Sequence, residues 1–232
     1  MEKHKMPTKE RIIEESLTLF SIKGFKGTSV KEIADAVGIK DSSLYKHFKS
    51  KREIFDTIVL AVGKRMEETS KAFGLPTDAN GLPGEDQFEE AAIFYEKLTL
   101  EGLQQLSRDF LTFYMTDPFM SRFWRMANIE QYQNEEIYNV FYKIYMEDSI
   151  RYQSRVFAEM SRRGILKDRD PEVMTISFYA PIFFLLSKYI NRPSKLPEAL
   201  ELLERQVEDF YLCYNDQQER EQDHAPNPPC RK

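Results

Sequence analysis

The sequence predicts an all-α fold, a small three-helix head joined to a larger helical body. Three observations predict it. Apolar residues recur at helical period along most of the 232 residues. Helix starts and stops (Ser-x-x-Glu, Asp-Pro and single glycines) divide those runs. No stretch alternates apolar and polar residues over the length of a strand, and no internal repeat is visible.

Residues 8–23 read as a first helix, with Ile12, Ile13, Ser16, Leu17 and Phe20 on its inner stripe. Ser29 and Glu32 have capping-box spacing and start a second, whose Val30, Ile33, Ala34 and Val37 share one face. Gly38 ends it, because glycine adopts the left-handed conformation without a Cβ penalty. Asp41 or Ser42 is expected to cap a third helix that turns Leu44 and Phe48 inward. Ser50 and Glu53 repeat the capping-box spacing and open a fourth, which passes through Ile54, Phe55, Ile58, Val59 and Val62 to about Ala72.

Ala34, Gly38 and Leu44 have helix-turn-helix spacing. Ala34 is small enough for close approach, Gly38 permits the turn, and Leu44 locks the next helix into the core. Lys40, Asp41, Ser42, Ser43, Tyr45, Lys46 and His47 are left on or near the exposed side. Such a helix enters the major groove of DNA with its first turn facing base edges. The helix starts at Ser29 and Ser50 offer backbone N–H groups to phosphates, with Lys31 and Lys51 beside them. Lys40, Ser42, Ser43 and Lys46 are therefore expected at or next to base edges. Thr28, Ser29, Lys31, Tyr45, His47 and Lys51 are expected to position the DNA backbone.

With Ile12, Ile13 and Leu17 before it, the series Phe20, Gly24-Phe25, Thr28, Ile33-Ala34, Gly38-Ile39, Leu44-Tyr45, His47-Phe48, Lys51 and Glu53 resembles the DNA-binding domain of the TetR family of transcriptional regulators. The resemblance covers residues 8–55. Ser16 stands where the family often has alanine, at a position that still packs. Farther along, only the helical layout and the segment Arg163-Gly164-Ile165-Leu166 with Asp170-Pro171-Glu172 are similar. The resemblance implies a helix-turn-helix DNA-binding domain over 1–49 and a helical effector-binding and dimerisation domain over 50–215. Residues 216–232 lack a periodic apolar face and are expected to be a disordered tail.

Within the body, residues 73–84 read as a loop. Asp86 is expected to cap a helix reaching Thr116, with a break near Gly102. Asp117-Pro118 opens a helix to about Asn128, since proline at the first helical position forfeits no bond. A long helix from Gln131 to Arg163 stops at Gly164. Asp170-Pro171 opens the next, and Pro181 inside it is expected to bend it or open its hydrogen-bond ladder. The last helix runs from Glu198 to Asn215. In the family the last two helices pair with their symmetry mates. On that footing Phe178, Ile182, Leu185, Tyr189, Leu203, Val207 and Phe210 are expected at a homodimer interface.

Residues 88–157 hold 16 of the 30 aromatic residues. As the resemblance implies, Phe110, Phe113, Tyr114, Phe123, Trp124, Tyr138, Phe141, Tyr145 and Tyr152 are candidates to line an effector pocket. Asp148 shares a face with Phe141, Tyr145 and Tyr152. A carboxylate in such a stripe belongs at a pocket wall or in a pair with a cation such as Arg151 or Arg155. Tyrosines with a carboxylate suit a cationic ligand, and the same aromatics suit a neutral aromatic or acyl ligand. The sequence leaves both open.

Composition bounds the rest. The net charge is −5, yet residues 1–53 carry 12 Lys/Arg against 8 Asp/Glu and the remainder 21 against 30. A basic head on an acidic body suits a protein that touches DNA at one end. No apolar run approaches the roughly 20 residues that span a bilayer, and the polar start lacks a signal-peptide core. A cytoplasmic protein with no membrane contact is expected. Cys213 and Cys230 make neither a disulfide framework nor a metal cluster, and one buried thiol and one tail thiol are expected. His4, His47 and His224 form no metal-ligand spacing, and no phosphate loop or nucleophile elbow is present. No catalytic residue, metal or cofactor is expected. The reading is a transcriptional regulator, a repressor released from a palindromic operator by a small-molecule effector of unknown identity. The alternative is a small-molecule-binding or interaction protein without sequence-specific DNA recognition.

Overall fold

The computed structural model describes residues 6–76 and 87–216. Among them, eleven α-helices follow one another: α1 (Thr8–Lys23), α2 (Val30–Val37), α3 (Asp41–Leu44), α4 (Lys51–Ala72), α5 (Phe88–Glu96), α6 (Leu100–Thr116), α7 (Pro118–Glu130), α8 (Glu135–Phe141), α9 (Asp148–Arg162), α10 (Pro171–Tyr189) and α11 (Leu196–Tyr214). A π-helical turn, Tyr142–Glu147, joins α8 to α9. The described residues form no strand, only an isolated bridge between Leu166 and Asn215. The predicted all-α fold is the observed one.

The head forms as its capping residues dictate. The Ser29 hydroxyl accepts from Glu32 N at 3.2 Å, and Glu32 Oε2 accepts from Ser29 N at 2.8 Å. Gly38, at φ +75°, closes α2 in the left-handed conformation. Ile12, Leu17, Phe20, Ile33, Ala34, Leu44, Ile54 and Phe55 are all buried and pack as one core. The third helix differs from expectation. Lys40 takes the cap position, no side chain caps it, and α3 is a single turn. Turn hydrogen bonds carry the coil on to Phe48, whose N–H bonds Leu44 O at 3.1 Å. Ser50 caps α4 by accepting from Glu53 N at 3.1 Å, while Glu53 takes the N–H of Lys49 instead of its own cap residue.

In the body, α6 packs on α11, α9 packs on α5 and α10, and α7 lies along α1. The chain breaks between α5 and α6 at Lys97–Thr99, ahead of the expected break at Gly102. The Thr99 hydroxyl accepts from Gly102 N at 3.2 Å, so Gly102 sits inside the first turn of α6. The expected helix 131–163 is divided. Asn134 caps α8 by accepting from Ile137 N at 3.3 Å, and the π turn separates α8 from α9. Helix α10 runs through Pro181 to Tyr189. Cys213 is exposed, which corrects the expected buried thiol. Asp216 is tied down, its N–H bonding Ile165 O at 2.9 Å. Asp86, loop residues 77–84, Cys230 and the rest of the expected tail lie outside the described residues.

The head rests on α7. Arg122 donates to Glu14 Oε2 at 2.5 Å and to Thr18 Oγ1 at 2.7 Å on α1. At the far end of α7, Glu130 is fully buried, and its Oε1 accepts from Phe25 N at 2.6 Å. The fourth helix shares the link between head and body with α7. Arg65 of α4 meets Asp117, the cap of α7, at 3.3 Å, and its guanidinium lies 4.6 Å from the ring centre of Phe119.

Candidate nucleic-acid interface and aromatic body cluster

Burial sorts the ten residues expected to meet DNA. Ser29, Lys31, Lys40, Ser42, Tyr45, Lys46 and His47 are exposed. They flank the turn after Gly38, and Leu44 and Phe48 hold that turn against the core. Ser43 is half-buried. Two residues do something else. Thr28 is buried, and its hydroxyl donates to Gly24 O at 2.8 Å, so it locks the loop between α1 and α2 from inside. Lys51 donates to Phe25 O and Thr28 O, both at 2.6 Å, and its ammonium lies 4.4 Å from the Phe25 ring centre. Burial lowers the pKa of Lys51, with opposing help from Glu130 and Glu32. At least two of its three N–H donors serve the fold.

The loop 24–28 is therefore held from both sides, by Lys51 and by Glu130. Gly24 has φ +76°, and a Cβ there would come within 2.5 Å of Glu130 Oε1. Close approach of the carboxylate, together with the left-handed backbone, requires glycine. The importance of Glu130 was not legible in the sequence, where it is one acidic residue at the end of a helix. The only hint was Gly24, which marks a position where something approaches the backbone.

The candidate effector residues divide into three groups. Phe123, Trp124, Phe141 and Tyr145 are buried together, with Phe113 and Tyr114 packed against them. The Phe123–Phe141, Trp124–Tyr145 and Tyr114–Tyr145 ring centres are 4.4, 5.2 and 6.0 Å apart. Phe110 packs edge-on to Phe73 at 4.9 Å, and half-buried Tyr138 is 6.5 Å from exposed Tyr142. Tyr152 belongs to a second cluster built on Ala91, Phe157, Met174 and Phe210. Asp148 is in neither. It sits at the start of α9, half-exposed, bound to Lys143 at 3.0 Å and Arg151 at 2.8 Å. The π turn inserts a residue between Phe141 and Asp148 and so breaks the face that a continuous helix would give them. Missed from the sequence were Phe183, stacked on Trp124 at 5.5 Å, and Tyr179, one turn before it on α10.

Of the residues expected at a dimer interface, Leu185, Tyr189, Leu203, Val207 and Phe210 are buried within the protomer, and Phe178 and Ile182 are half-buried against its core. They fill the space between α10, α11, α6 and α9. The large apolar residues that α10 exposes are Val173, Ile176 and Phe184.

Residues 12–58 match the profile of the family described as "Bacterial regulatory proteins, tetR family". Over 51 residues the chain is 49% identical to IcaR of Staphylococcus aureus strain Newman, named as the negative transcriptional regulator of the biofilm operon icaADBC. Residues 12–58 are a TetR-family DNA-binding domain. The alignment with IcaR covers 22% of this chain and 27% of IcaR. A longer one, 147 residues at 29% identity, covers 63% of this chain and 44% of YerO, an uncharacterised HTH-type transcriptional regulator of Bacillus subtilis strain 168. The chain thus spans about a quarter to under half of the curated relatives it matches. Among solved structures, a TerR/AcrR-family transcriptional regulator from Aquifex aeolicus VF5 superposes with a TM-score of 0.59 at 22% identity, covering 87% of this chain and 98% of that one. That likeness extends the TetR fold through the body. Among the described residues, no helix is long and apolar enough to cross a membrane, and no three His, Cys, Asp or Glu side chains are grouped to hold a metal ion.

Proposed function

We propose that this chain is a ligand-responsive transcriptional repressor of the TetR family that binds a palindromic operator as a homodimer. Residues 1–49 form its DNA-binding domain and residues 50–215 its effector and dimerisation domain. One observation carries the reading. The exposed series Lys40, Ser42, Tyr45, Lys46 and His47 is held outward on a turn whose inner residues Leu44 and Phe48 are locked in the head core. Among the described residues these side chains are exposed and enter no side-chain hydrogen bond or ion pair, and they suit the major groove. The dimer meets through the outer face of α10, at Val173, Ile176 and Phe184.

The effector acts by preferring a conformation whose head spacing misfits the operator. Helix α7 transmits the preference. It carries Phe123 and Trp124 in the aromatic cluster, Arg122 on α1 and Glu130 under the loop before α2. A shift of α7 reaches the head at both ends. A tenfold loss of operator affinity needs only about 1.4 kcal/mol of coupling.

The test is fluorescence anisotropy of the purified protein on DNA from upstream of its own gene, at fixed salt, beside a shuffled competitor. The expected result is tight binding to the upstream DNA, with the competitor about a thousandfold weaker. Equal weak binding to both, followed by no enrichment in a selection from random DNA, would overturn the reading.

A further inference from the structure

Two hydrogen-bond donors in the aromatic cluster find no acceptor among the described residues. Trp124 Nε1 and the Tyr145 hydroxyl are buried and have no partner among the described residues. Their side chains are 7% and 6% exposed, and their rings lie 5.2 Å apart. Buried donors are nearly always paired, so two orphans in one cluster ask for an acceptor from outside the chain. Tyr145 stands on the π turn Tyr142–Glu147, an irregularity found repeatedly at functional sites.

The surroundings are aromatic and neutral. Phe183 stacks on Trp124, Tyr179 follows at 6.5 Å from Phe183, and Phe178 at 5.6 Å from Tyr179. Phe178 in turn lines a cavity of about 40 Å³ with Tyr95, Gln153 and Phe157. The phenols along this path stay protonated at neutral pH. Burial raises Tyr145 and Tyr114, and pushes Tyr179 up to about 12. They therefore offer O–H groups and no charge. Two carboxylates of this part of the body are paired at the surface. Asp148 is held by Lys143 and Arg151, and Glu96, on the rim of the cavity, by Arg163. The rings packed around Trp124 and Tyr145 carry no charge, and a charge buried unpaired among them is strongly unfavourable.

Resting on the reading of the body as an effector domain, we propose that Trp124 and Tyr145 form a ligand site for a neutral, largely apolar molecule. Its hydrogen-bond acceptor, a carbonyl-type oxygen, takes the indole N–H and the phenol O–H. The proposal takes the neutral side of the choice that the sequence left open between a cationic ligand and a neutral aromatic or acyl one.

The experiment uses three probes on one ring system: methyl 2-naphthoate, 2-naphthoate and 2-naphthylmethylammonium. Each is titrated calorimetrically into the full chain and into Tyr145→Phe and Trp124→Phe. The ester is expected to bind more tightly than either ion, and each variant to weaken it about three- to tenfold, as for one neutral hydrogen bond. Tyr145→Phe, which removes only an unanswered hydroxyl, is expected to melt no lower than wild type when no ligand is present. A tighter carboxylate or ammonium, an ester that does not bind, or an ester indifferent to both variants would overturn the proposal. So would a marked loss of stability in Tyr145→Phe, because it would mean the hydroxyl serves the fold. Operator binding is measured on the same samples. Specific DNA binding without ester binding sinks the site and spares the regulator. Ester binding sensitive to both variants, with no sequence-specific DNA binding, does the reverse.

Discussion

Glu32 shows how much a single residue of the head carries. Its carboxylate binds Lys23 and closes the capping box of α2, and these bonds lower its pKa from 4.5 to about 2, the Lys23 bond most of all. Because the folded value is depressed, its contribution to stability is complete above pH 4.5. It is lost as the pH falls toward 2, where the unfolded chain takes up the proton first. Urea midpoints of wild type and Glu32→Gln should therefore differ at pH 6 and draw much closer by pH 2.5, just above the folded value. A gap of equal size at both values would assign the effect to packing. Added salt should also narrow it, since the pair with Lys23 is exposed. The capping box was legible because it depends on residues three apart. Thr28 and Lys51 were not, because their partners are backbone carbonyls of a loop that only the folded chain brings beneath them. A sequence shows that a lysine is present and leaves unsaid whether its charge is spent internally.

Elements were legible where a side chain announced an end. Asp117-Pro118 and Asp170-Pro171 mark the starts of α7 and α10, and in both the aspartate accepts two backbone N–H groups. The break before α6 was misplaced because a glycine reads as a breaker, whereas a threonine cap three residues earlier decides where the helix begins. The π turn has no local signature, so α8 and α9 read as one helix. The role of α7 as a bridge was equally hidden, since it depends on Glu130 reaching a loop 105 residues away in sequence. Glu130→Ala should cost about 1–3 kcal/mol through the unanswered N–H of Phe25, and hydrogen exchange at that amide should accelerate. Gly24→Ala should be costly too, from its positive φ and the 2.5 Å approach to Glu130 Oε1. The double variant should lose less than the sum, since removing the carboxylate removes the clash. Strict additivity in a double-mutant cycle would show that the two residues do not meet.

At the scale of the whole molecule the question is which face of α10 turns outward. The family resemblance put Phe178, Ile182, Leu185 and Tyr189 on that face, but a helix with apolar residues all round presents no preferred stripe to test the choice in the sequence. The fold decides. Leu185 and Tyr189 point into the protomer, while Val173, Ile176 and Phe184 remain exposed at spacings of three and eight residues, and Phe184 is 63% accessible. Reading two half-sites requires two heads about 34–36 Å apart or a multiple of that distance, so the proposed dimer face controls operator affinity without touching DNA. Phe184→Asp should yield a monomer by light scattering. Its helical content should be unchanged and its affinity for a full operator strongly reduced, while weak non-specific binding persists. Leu203→Ala, at a fully buried position on α11, should behave in the opposite way, costing about 2–5 kcal/mol of stability through the cavity it leaves while the folded fraction still dimerises. If Phe184→Asp stayed dimeric, the pairing surface would lie elsewhere. If Leu203→Ala produced a stable monomer, the inward placement of that face would be wrong.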